Sequence, residues 1–252
     1  MKVAIFSDVH GNDLALDAVL ADIARHEVDA FWVIGDLVAL GPAPVAAARR
    51  LQALPNATFV RGNTDRYTFA GERPGGAANL DALRADFEAL TRYVEFTSSF
   101  PWARGALTEA GLFDWLAAIP LEERVVLPDG TRVLLVHAAP GTDDGPGIRA
   151  TQTDDELTAI FGDDLAADLV IVGHTHIPLD RVVNGVTLHN LGSVSLPTPD
   201  DARAEWTLLT ADDSGHTLER QFVAYDVAAV QAAFDAVKHP FADGLKAMFS
   251  TE

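Results

Sequence analysis

The chain has 252 residues, of which 48% are hydrophobic and 22% charged, a balance typical of a folded globular protein rather than a disordered one. It contains no cysteine, which excludes disulfide scaffolds, thiolate metal sites and cysteine nucleophiles. Its 18 basic and 37 acidic residues give a formal net charge of −19, so broad binding to nucleic acid is not expected, because neutralising phosphates needs a basic surface. No apolar run reaches the roughly 18 residues of a membrane span, and the short apolar start predicts no signal peptide, so we expect a cytoplasmic protein without a membrane partner.

The first 60 residues alternate short apolar runs with longer amphipathic stretches. The apolar runs at 3–6, 30–34 and 58–60 predict buried strands, whereas the helical spacing over 14–23 and the alanine-rich stretch 45–54 predict helices. Asn12 and Asp13 are placed to cap the first helix. Because helices of this length can cross over between parallel strands, the pattern predicts a parallel α/β sheet.

Between about 66 and 121 the alternation of short apolar runs with amphipathic stretches ends. We interpret this stretch as a helical insertion over the functional site within a single domain. Helices are predicted there at 80–93 and 107–116. Strands at 123–127 and 132–136 follow, joined by the turn Pro128-Asp129-Gly130. The remaining predicted elements are a helix at 156–161, a strand at 169–172, a hairpin of 181–183 and 186–189 across Asn184-Gly185, and a C-terminal segment at about 205–252 with strands at 207–210 and 218–223 and a helix at 227–237.

Residues of the types that bind metals follow five of the predicted strands. In chain order, the strand ends carry Asp8 and His10, Asp36, Asn63, His137, and His174 with His176. Ligands of open α/β sheets bind in the crevice beyond the carboxyl ends of the strands. A single loop aspartate or histidine is more often a turn or packing residue, but five strand ends that all supply ligands indicate one common site.

A pair of divalent transition metals suits this set of side chains. Imidazole nitrogens and carboxylate oxygens suit Mn, Fe, Zn, Co or Ni rather than Ca or Mg alone, and seven candidates are more than one ion uses. Two ions about 3.5–4 Å apart lower the pKa of a shared water and stabilise in-line displacement at phosphorus. Gly35 and Gly62, each directly before a candidate ligand, are expected to permit tight turns that point those side chains into the site.

The ordered blocks resemble those of the calcineurin-like metallophosphoesterase superfamily: Asp8-Val-His10, Gly35-Asp36, Gly62-Asn63-Thr64-Asp65, His137 and Gly173-His174-Thr175-His176. The resemblance covers residues 1 to about 197. Within the superfamily, residues 7–12 and 35–42 resemble the small bacterial and archaeal phosphodiesterase-like branch. Asn190-Leu191-Gly192-Ser193 is similar to the Asn-Pro-Gly-Ser segment of that branch, with Leu191 in place of proline.

This resemblance implies a four-layer α/β/β/α sandwich, in which two facing mixed sheets are flanked by helices and the two-metal site lies at one edge. It assigns one ion to Asp8, His10, Asp36 and His176, and the other to Asp36, Asn63, His137 and His174. It also implies two divalent ions per chain, with manganese favoured. The implied reaction is hydrolysis of a phosphodiester or phosphomonoester by a metal-bridging hydroxide, without a covalent phospho-enzyme.

Residue 64 departs from the family pattern. Many members carry a histidine there that protonates the leaving oxygen or stabilises the transition state, whereas Thr64 cannot act as a general acid at neutral pH. Because general acid catalysis typically contributes ~10²–10⁴-fold, we expect a low rate and a preference for good leaving groups. Asn63 and Asp65 are the catalytic candidates that remain, and the role expected of Asp65 is to orient a metal-bound water or the Thr64 hydroxyl.

Arg61 is the candidate for substrate binding, because a guanidinium at this position could reach a phosphate oxygen of a small ester, with a surface salt bridge as the alternative. Two other functions remain open. A protein phosphatase or dinucleoside-polyphosphate hydrolase usually uses the histidine that Thr64 replaces. A weakly active, metal-bound scaffold or sensor would act through protein contacts.

Overall fold

The computed structural model describes residues 1–75, 80–84, 86–162, 165–196, 198 and 201–249. The strands are β1 (Lys2–Phe6), β2 (Ala30–Ile34), β3 (Ala57–Val60), β4 (Glu122–Val126), β5 (Arg132–Val136), β6 (Leu169–Val172), β7 (Leu179–Val183), β8 (Val186–Asn190), β9 (Ala204–Asp212) and β10 (Gly215–Val223). The helices are α1 (Asp13–Ile23), α2 (Pro44–Gln52), α3 (Asn63–Ala70), α4 (Leu80–Arg84), α5 (Phe87–Glu109), α6 (Phe113–Ala117), α7 (Asp154–Phe161), α8 (Val227–Ala236) and α9 (Ala242–Ala247).

The strands form two five-stranded mixed sheets, in the orders β10-β9-β1-β2-β3 and β4-β5-β6-β8-β7. β1, β2 and β3 are parallel, as the sequence predicts, and so are β5, β6 and β8. The antiparallel strands β9 and β10 extend the first sheet beside β1, so the C-terminal segment completes this sheet. Its last residues, 250–252, lie outside the described residues.

The alternation of side chains along β1 shows how the layers pack. Val3 and Ile5 lie in the core between the two sheets, whereas Ala4 and Phe6 face the opposite side, where α1 and α2 cover the first sheet. The outer face of the second sheet is covered by α7 through Leu157. Successive residues of a strand point to opposite faces, and both faces are buried here, so β1 reads as an unbroken apolar run. The four-layer α/β/β/α sandwich is thus confirmed.

The helices of the insertion differ from the prediction. The stretch 80–93 contains α4 and the start of α5, and residues 76–79 and 85 lie outside the described residues. The single helix predicted at 107–116 is wrong, because α5 ends at Glu109 and Gly111 has a left-handed φ of 72°. The Leu112 amide then donates to the Leu107 carbonyl at 2.9 Å, which is the bond that closes a Schellman motif. Leu107, Leu112 and Leu116 are buried in one core, so the spacing that indicated one helix belongs to the ends of two.

The sequence predicts no helix at α3, because asparagine, threonine, aspartate and aromatic residues dominate it and these are weak helix formers. Its first turn is nevertheless capped, since the Asp65 carboxylate accepts a hydrogen bond from the Gly62 amide at 2.9 Å. α5 packs against α2 and α3. The position of the whole insertion over the site stays a prediction.

Within the described residues, no helix has both the length and the apolar character needed to span a membrane. The cytoplasmic location expected from the sequence stays a prediction.

Candidate metal centre

Strands of both sheets bring the predicted ligands together. From the first sheet, Asp8 and His10 follow β1, Asp36 follows β2 and Asn63 begins α3 directly after β3; from the second, His137 follows β5, and His174 and His176 follow β6. Ligand atoms of Asp8, His10, Asp36 and His176 all lie within 4.8 Å of one another. We call these four residues the first half of the centre, and Asn63, His137 and His174 the second half.

The backbone at these ligands is unusual. Five of them have a left-handed φ: Asp8 57°, His10 48°, Asp36 55°, His174 69° and His176 58°. This region is uncommon for residues other than glycine, and holding a residue in it costs of order 1–3 kcal/mol. The loops after β1 and β2 hold each other in place, since the Asp8 amide donates to the Gly35 carbonyl at 3.0 Å and the His10 amide to the Asp36 carbonyl at 2.8 Å. Strain that neighbouring structure maintains in this way is typical of functional sites.

Backbone carbonyls orient three of the ligand histidines. His10 Nδ1 donates to the Ala39 carbonyl at 3.2 Å, His137 Nδ1 to the Ile34 carbonyl at 2.8 Å and His174 Nε2 to the Gly145 carbonyl at 2.9 Å. A carbonyl only accepts, so each of these bonds places the ring proton on that nitrogen. In the neutral ring the other nitrogen carries no proton and can bind a metal, and it is Nε2 in His10 and His137 but Nδ1 in His174.

Asp36 lies between the two halves. Its Oδ2 is 3.7 Å from Nε2 of His10 in the first half and 3.4 Å from Nε2 of His137 in the second. Its Oδ1 accepts a hydrogen bond from the Thr64 amide at 2.9 Å, which fixes the rotation of the carboxylate. One carboxylate oxygen thus faces ligand nitrogens of both halves.

The donor atoms fit a divalent cation. Asp8 Oδ1 and His137 Nε2 are buried and make no hydrogen bond with the described residues, although a buried polar atom normally has a partner. Nε2 of His10 and Nε2 of His176 are only 3.2 Å apart, with the Asp8 Oδ1 atom 3.1 Å from the latter. Nitrogen and oxygen donors that converge in this way are the set that borderline transition metals bind.

Burial and charge act against each other in this cluster. Burial opposes ionisation of the carboxyls, but the imidazole of His176 lowers the pKa of Asp8, and that of His137 lowers the pKa of Asp36. Burial also opposes the charged form of His137, and the Asp36 carboxylate outweighs it, raising the pKa of His137 to about 10. In His10 burial prevails and lowers the pKa. Two buried carboxylates therefore need positive charge beside them. A bound cation would supply that charge in place of the protons on the neighbouring imidazoles.

Asp65, the catalytic candidate with an expected orienting role, is fully buried and bonded to backbone. Its Oδ1 accepts from the Leu37 amide and its Oδ2 from the Gly62 amide, both at 2.9 Å. Burial, and then the negative charge of Asp36, raise the pKa of Asp65 to about 7. Its carboxyl group therefore joins the loop after β2 to the loop after β3, which carry Asp36 and Asn63. In the second half, Asn63 Oδ1 lies 3.0 Å from His174 Nδ1.

Gly35 and Gly62 are needed for different reasons. Gly35 has a left-handed φ of 79°, in agreement with the predicted tight turn, and a Cβ there would lie 2.5 Å from His137 Nδ1. Gly62 has an ordinary φ of −99°, so a tight turn does not explain it. A Cβ on Gly62 would lie 2.0 Å from Asp36 Oδ1, and glycine is required because the carboxylate occupies that space.

Arg61 lies in a network of ion pairs beside the second half. Its Nε donates to Asp143 at 2.9 Å, and Arg66 donates to the same carboxylate at 2.9 Å. Asp144 accepts from Arg66 and from the hydroxyl of Tyr67. The next residue is Gly145, whose carbonyl binds His174. The network therefore links α3 to the 141–147 loop that orients a ligand histidine.

Several supporting contacts go beyond the residues predicted from the sequence. The Ser7 hydroxyl donates to Asp8 Oδ2 at 2.6 Å, and the Ser193 hydroxyl donates to the Asp8 carbonyl at 3.0 Å. Asn190 Nδ2 donates to the Thr175 hydroxyl at 2.9 Å. The motif Asn190-Leu191-Gly192-Ser193 is the signal in the sequence that marks this support, since it supplies both Asn190 and Ser193.

Comparison with known proteins identifies the family of this chain. A family model described as the calcineurin-like phosphoesterase superfamily domain matches residues 1–214. The chain belongs to this superfamily. It is similar to a metallophosphoesterase from Sphaerobacter thermophilus (26% identity, TM-score 0.71, 99% of this chain and 98% of that one) and to hypothetical protein PH1004 from Pyrococcus horikoshii (19%, 0.80, 98% and 97%). The uncharacterized protein MJ0912 from Methanocaldococcus jannaschii is 27% identical over 243 residues, which cover 89% of this chain and 88% of that protein.

Thr64 and Leu191 are the two residues whose type differs from the pattern expected for a calcineurin-like phosphoesterase. The structure shows the surroundings of each. Thr64 is 4% exposed, and its hydroxyl makes no hydrogen bond with the described residues. The Leu191 amide donates to the Val172 carbonyl at 2.8 Å, a bond that proline cannot make. The Leu191 side chain is buried between the two sheets. Residue 191 therefore extends the pairing of β8 with β6 by one hydrogen bond.

Proposed function

We propose that this chain hydrolyses a phosphodiester or phosphomonoester in a centre that holds two divalent ions, with manganese as the favoured metal. The first ion is assigned to Asp8, His10, Asp36 and His176, and the second to Asp36, Asn63, His137 and His174. The observation that carries the proposal is the position of Asp36 Oδ2, within 3.7 Å of His10 Nε2 and 3.4 Å of His137 Nε2. A carboxylate shared in this way suits two adjacent ions better than one.

Two such ions, when bound, would supply an activated water and stabilise an in-line displacement at phosphorus. The residues of the chain hold and orient the substrate. Asp143 fixes Arg61 through Nε, and we assign the remaining guanidinium nitrogens of Arg61 to a phosphate oxygen. Asp65 acts as a positioning residue for the loops that carry Asp36 and Asn63, because both of its oxygens accept backbone hydrogen bonds.

Metal content and turnover, measured on one sample, test this proposal. The purified protein is stripped with a chelator, reloaded with Mn²⁺ and dialysed. We expect close to two ions per chain by elemental analysis, and turnover of bis(p-nitrophenyl) phosphate that is lost on stripping and restored on reloading. Absence of bound transition metal after reloading contradicts the metal assignment. Full metal occupancy without turnover of any mono- or diester favours the scaffold or sensor alternative.

Thr64→His tests the missing general acid. An imidazole with an unperturbed pKa of about 6.5 can protonate a departing alkoxide at neutral pH, so we expect the rate to rise most for alkyl esters and little for aryl esters. Metal content should not change, because Thr64 contacts Asp36 through its backbone amide. Kinetics on one aryl and one alkyl ester, with metal analysis in parallel, are the measurement. Equal losses on both esters would instead show that the buried position has no room for the ring.

A further inference from the structure

A cavity of about 170 Å³ lies against the segment that carries two of the ligand histidines. Its lining includes Ile148, Arg149, Ala150, Thr175, Ile177 and Leu179. Thr175 stands between His174 and His176 in the chain, and Ile177 follows His176 directly. One wall of the cavity is therefore formed by the ligand segment itself.

The two walls of this cavity pack against each other and are joined by hydrogen bonds. Gly147 has a left-handed φ of 64°, and a Cβ there would lie 2.8 Å from ring carbon Cδ2 of His174 and 2.8 Å from Cγ2 of Thr175. Asn190 Nδ2 donates to the Ile148 carbonyl at 2.8 Å on one wall and to the Thr175 hydroxyl at 2.9 Å on the other. The loop that carries Gly147 and Ile148 therefore packs against the segment that carries His174 and Thr175.

The lining suits an apolar occupant. Ile148 is fully buried, whereas Ile177 is 53% exposed although it is a large aliphatic side chain next to a metal ligand. An apolar group in the cavity would cover Ile177 and remove apolar surface from water. Arg149 also lines the cavity, and its Nε donates to the Pro146 carbonyl at 2.8 Å.

The volume limits how large the occupant is. A cavity of about 150 Å³ lined by aliphatic side chains is known to bind benzene, so about 170 Å³ accommodates one aromatic ring. We infer that this cavity binds a single aromatic ring carried by the substrate's phosphoryl group. The inference rests on the proposed function, because the metal centre must hold the phosphoryl group beside the cavity.

Two phosphonates that contain no hydrolysable ester bond test the inference on the Mn²⁺-loaded protein. Phenylphosphonate and methylphosphonate share the anionic head group and differ only in the ring. We expect phenylphosphonate to bind at least ~10-fold more tightly by isothermal titration calorimetry, since the ring leaves water on binding. Ala150→Trp fills the cavity from an exposed position and should abolish this preference while methylphosphonate affinity stays the same.

Ala228→Trp, at an exposed position on α8, is the matched control and should keep the preference. Ile177→Asn is a second variant, which makes the lining more polar without filling the cavity, and it should reduce the preference for phenylphosphonate. With two variants, the test does not depend on whether one of them folds. Equal wild-type affinities for the two phosphonates, or a preference that survives in both cavity variants, overturn the inference while the proposed function stands. If neither phosphonate binds in a metal-dependent manner, the proposed function fails and the inference with it.

Discussion

The two halves of the candidate metal centre are built differently. In the first half, four ligand atoms lie within 4.8 Å of one another, and Asp8, His10 and Asp36 are almost fully buried. In the second half, Asn63 and His174 are only partly buried, and His174 Nδ1 lies 3.0 Å from Asn63 Oδ1. Predicted ligands touch one another in both halves, so the two halves differ in how deeply these residues are buried.

The contacts that hold the predicted ligands in place are also more numerous in the first half. Asp8 is held by several independent bonds, since its carbonyl accepts from the Ser195 amide and the Ser193 hydroxyl, and its carboxylate from Ser7. His174 is oriented by the Gly145 carbonyl, on a loop that depends on side-chain ion pairs. Preorganised ligands bind a metal more tightly because less reorganisation is needed on binding. We therefore expect the first half to have the higher metal affinity.

The largest effect is expected from Asp36→Asn, because Asp36 belongs to both halves. The amide removes the negative charge that faces His10 and His137, so we expect metal content to fall and activity to drop by at least ~10²-fold. Asp17→Asn is the control, because Asp17 is an exposed carboxylate of α1 that pairs with Arg50 of α2. This variant should retain both its metal content and its activity. Full metal content together with full activity in Asp36→Asn would show that the bridge is assigned wrongly.

Substituting one histidine in each half separates their affinities. We expect the wild type to lose its ions in two steps during a chelator titration, followed by elemental analysis. His174→Ala should lose only the step of lower affinity and retain close to one ion, whereas His10→Ala should lose the step of higher affinity. A single step in the wild type, or loss of the tighter ion in His174→Ala, would contradict the order of the two halves.

A smaller effect is expected from Asp143→Asn, which touches no predicted ligand. Asp143 is nearly buried and accepts from Arg61 and Arg66, so its loss should loosen the 141–147 loop and the carbonyl that orients His174. We expect the affinity for the more weakly held ion to fall ~10–100-fold, as for other residues that orient a ligand. Asp168→Asn removes an exposed carboxylate paired with Arg132 and should change neither step. Loss of the more tightly held ion in Asp143→Asn would contradict the conclusion that Asp143 supports only the second half.

The sequence predicts the ligands better than the contacts that hold them. Asp8, Asp36 and His137 stand within two residues of the end of an apolar run, and a strand end is visible in the sequence. The carbonyls of Ala39, Ile34 and Gly145 are not visible in this way, because every residue has a carbonyl and only the packing of separate loops selects the one that meets a ring nitrogen.

The same limit applies to the helices. α1 has an apolar stripe and the cap Asn12, so its range follows from local pattern. α3 has no such stripe and few strong helix formers, and it depends on Asp65 bonding across two loops. The helix predicted at 107–116 failed because Leu107 and Leu116 reach one core from two helices. Local periodicity identifies an element, but it does not show whether two buried residues share one.

The smallest effect on metal binding is expected from Ser193→Ala, which tests whether the first half is held by more bonds than it needs. The Ser193 hydroxyl donates to the Asp8 carbonyl and accepts from the amides of Ser195 and Leu196. Its loss leaves buried amides without this partner, so we expect the free energy of unfolding to fall by ~1–3 kcal/mol in a urea titration.

The affinity for the more tightly held ion should nevertheless change by less than ~10-fold, below the range expected for Asp143→Asn. The reason is that the Ser195 amide still donates to the Asp8 carbonyl at 3.1 Å, and the Val194 amide to the Ser7 carbonyl at 3.1 Å, so the loop after β1 keeps its position. The chelator titration used for the histidine variants measures this affinity. If Ser193→Ala weakened the tighter ion more than Asp143→Asn weakens the other, the first half would depend on a single hydroxyl and would be no better preorganised than the second.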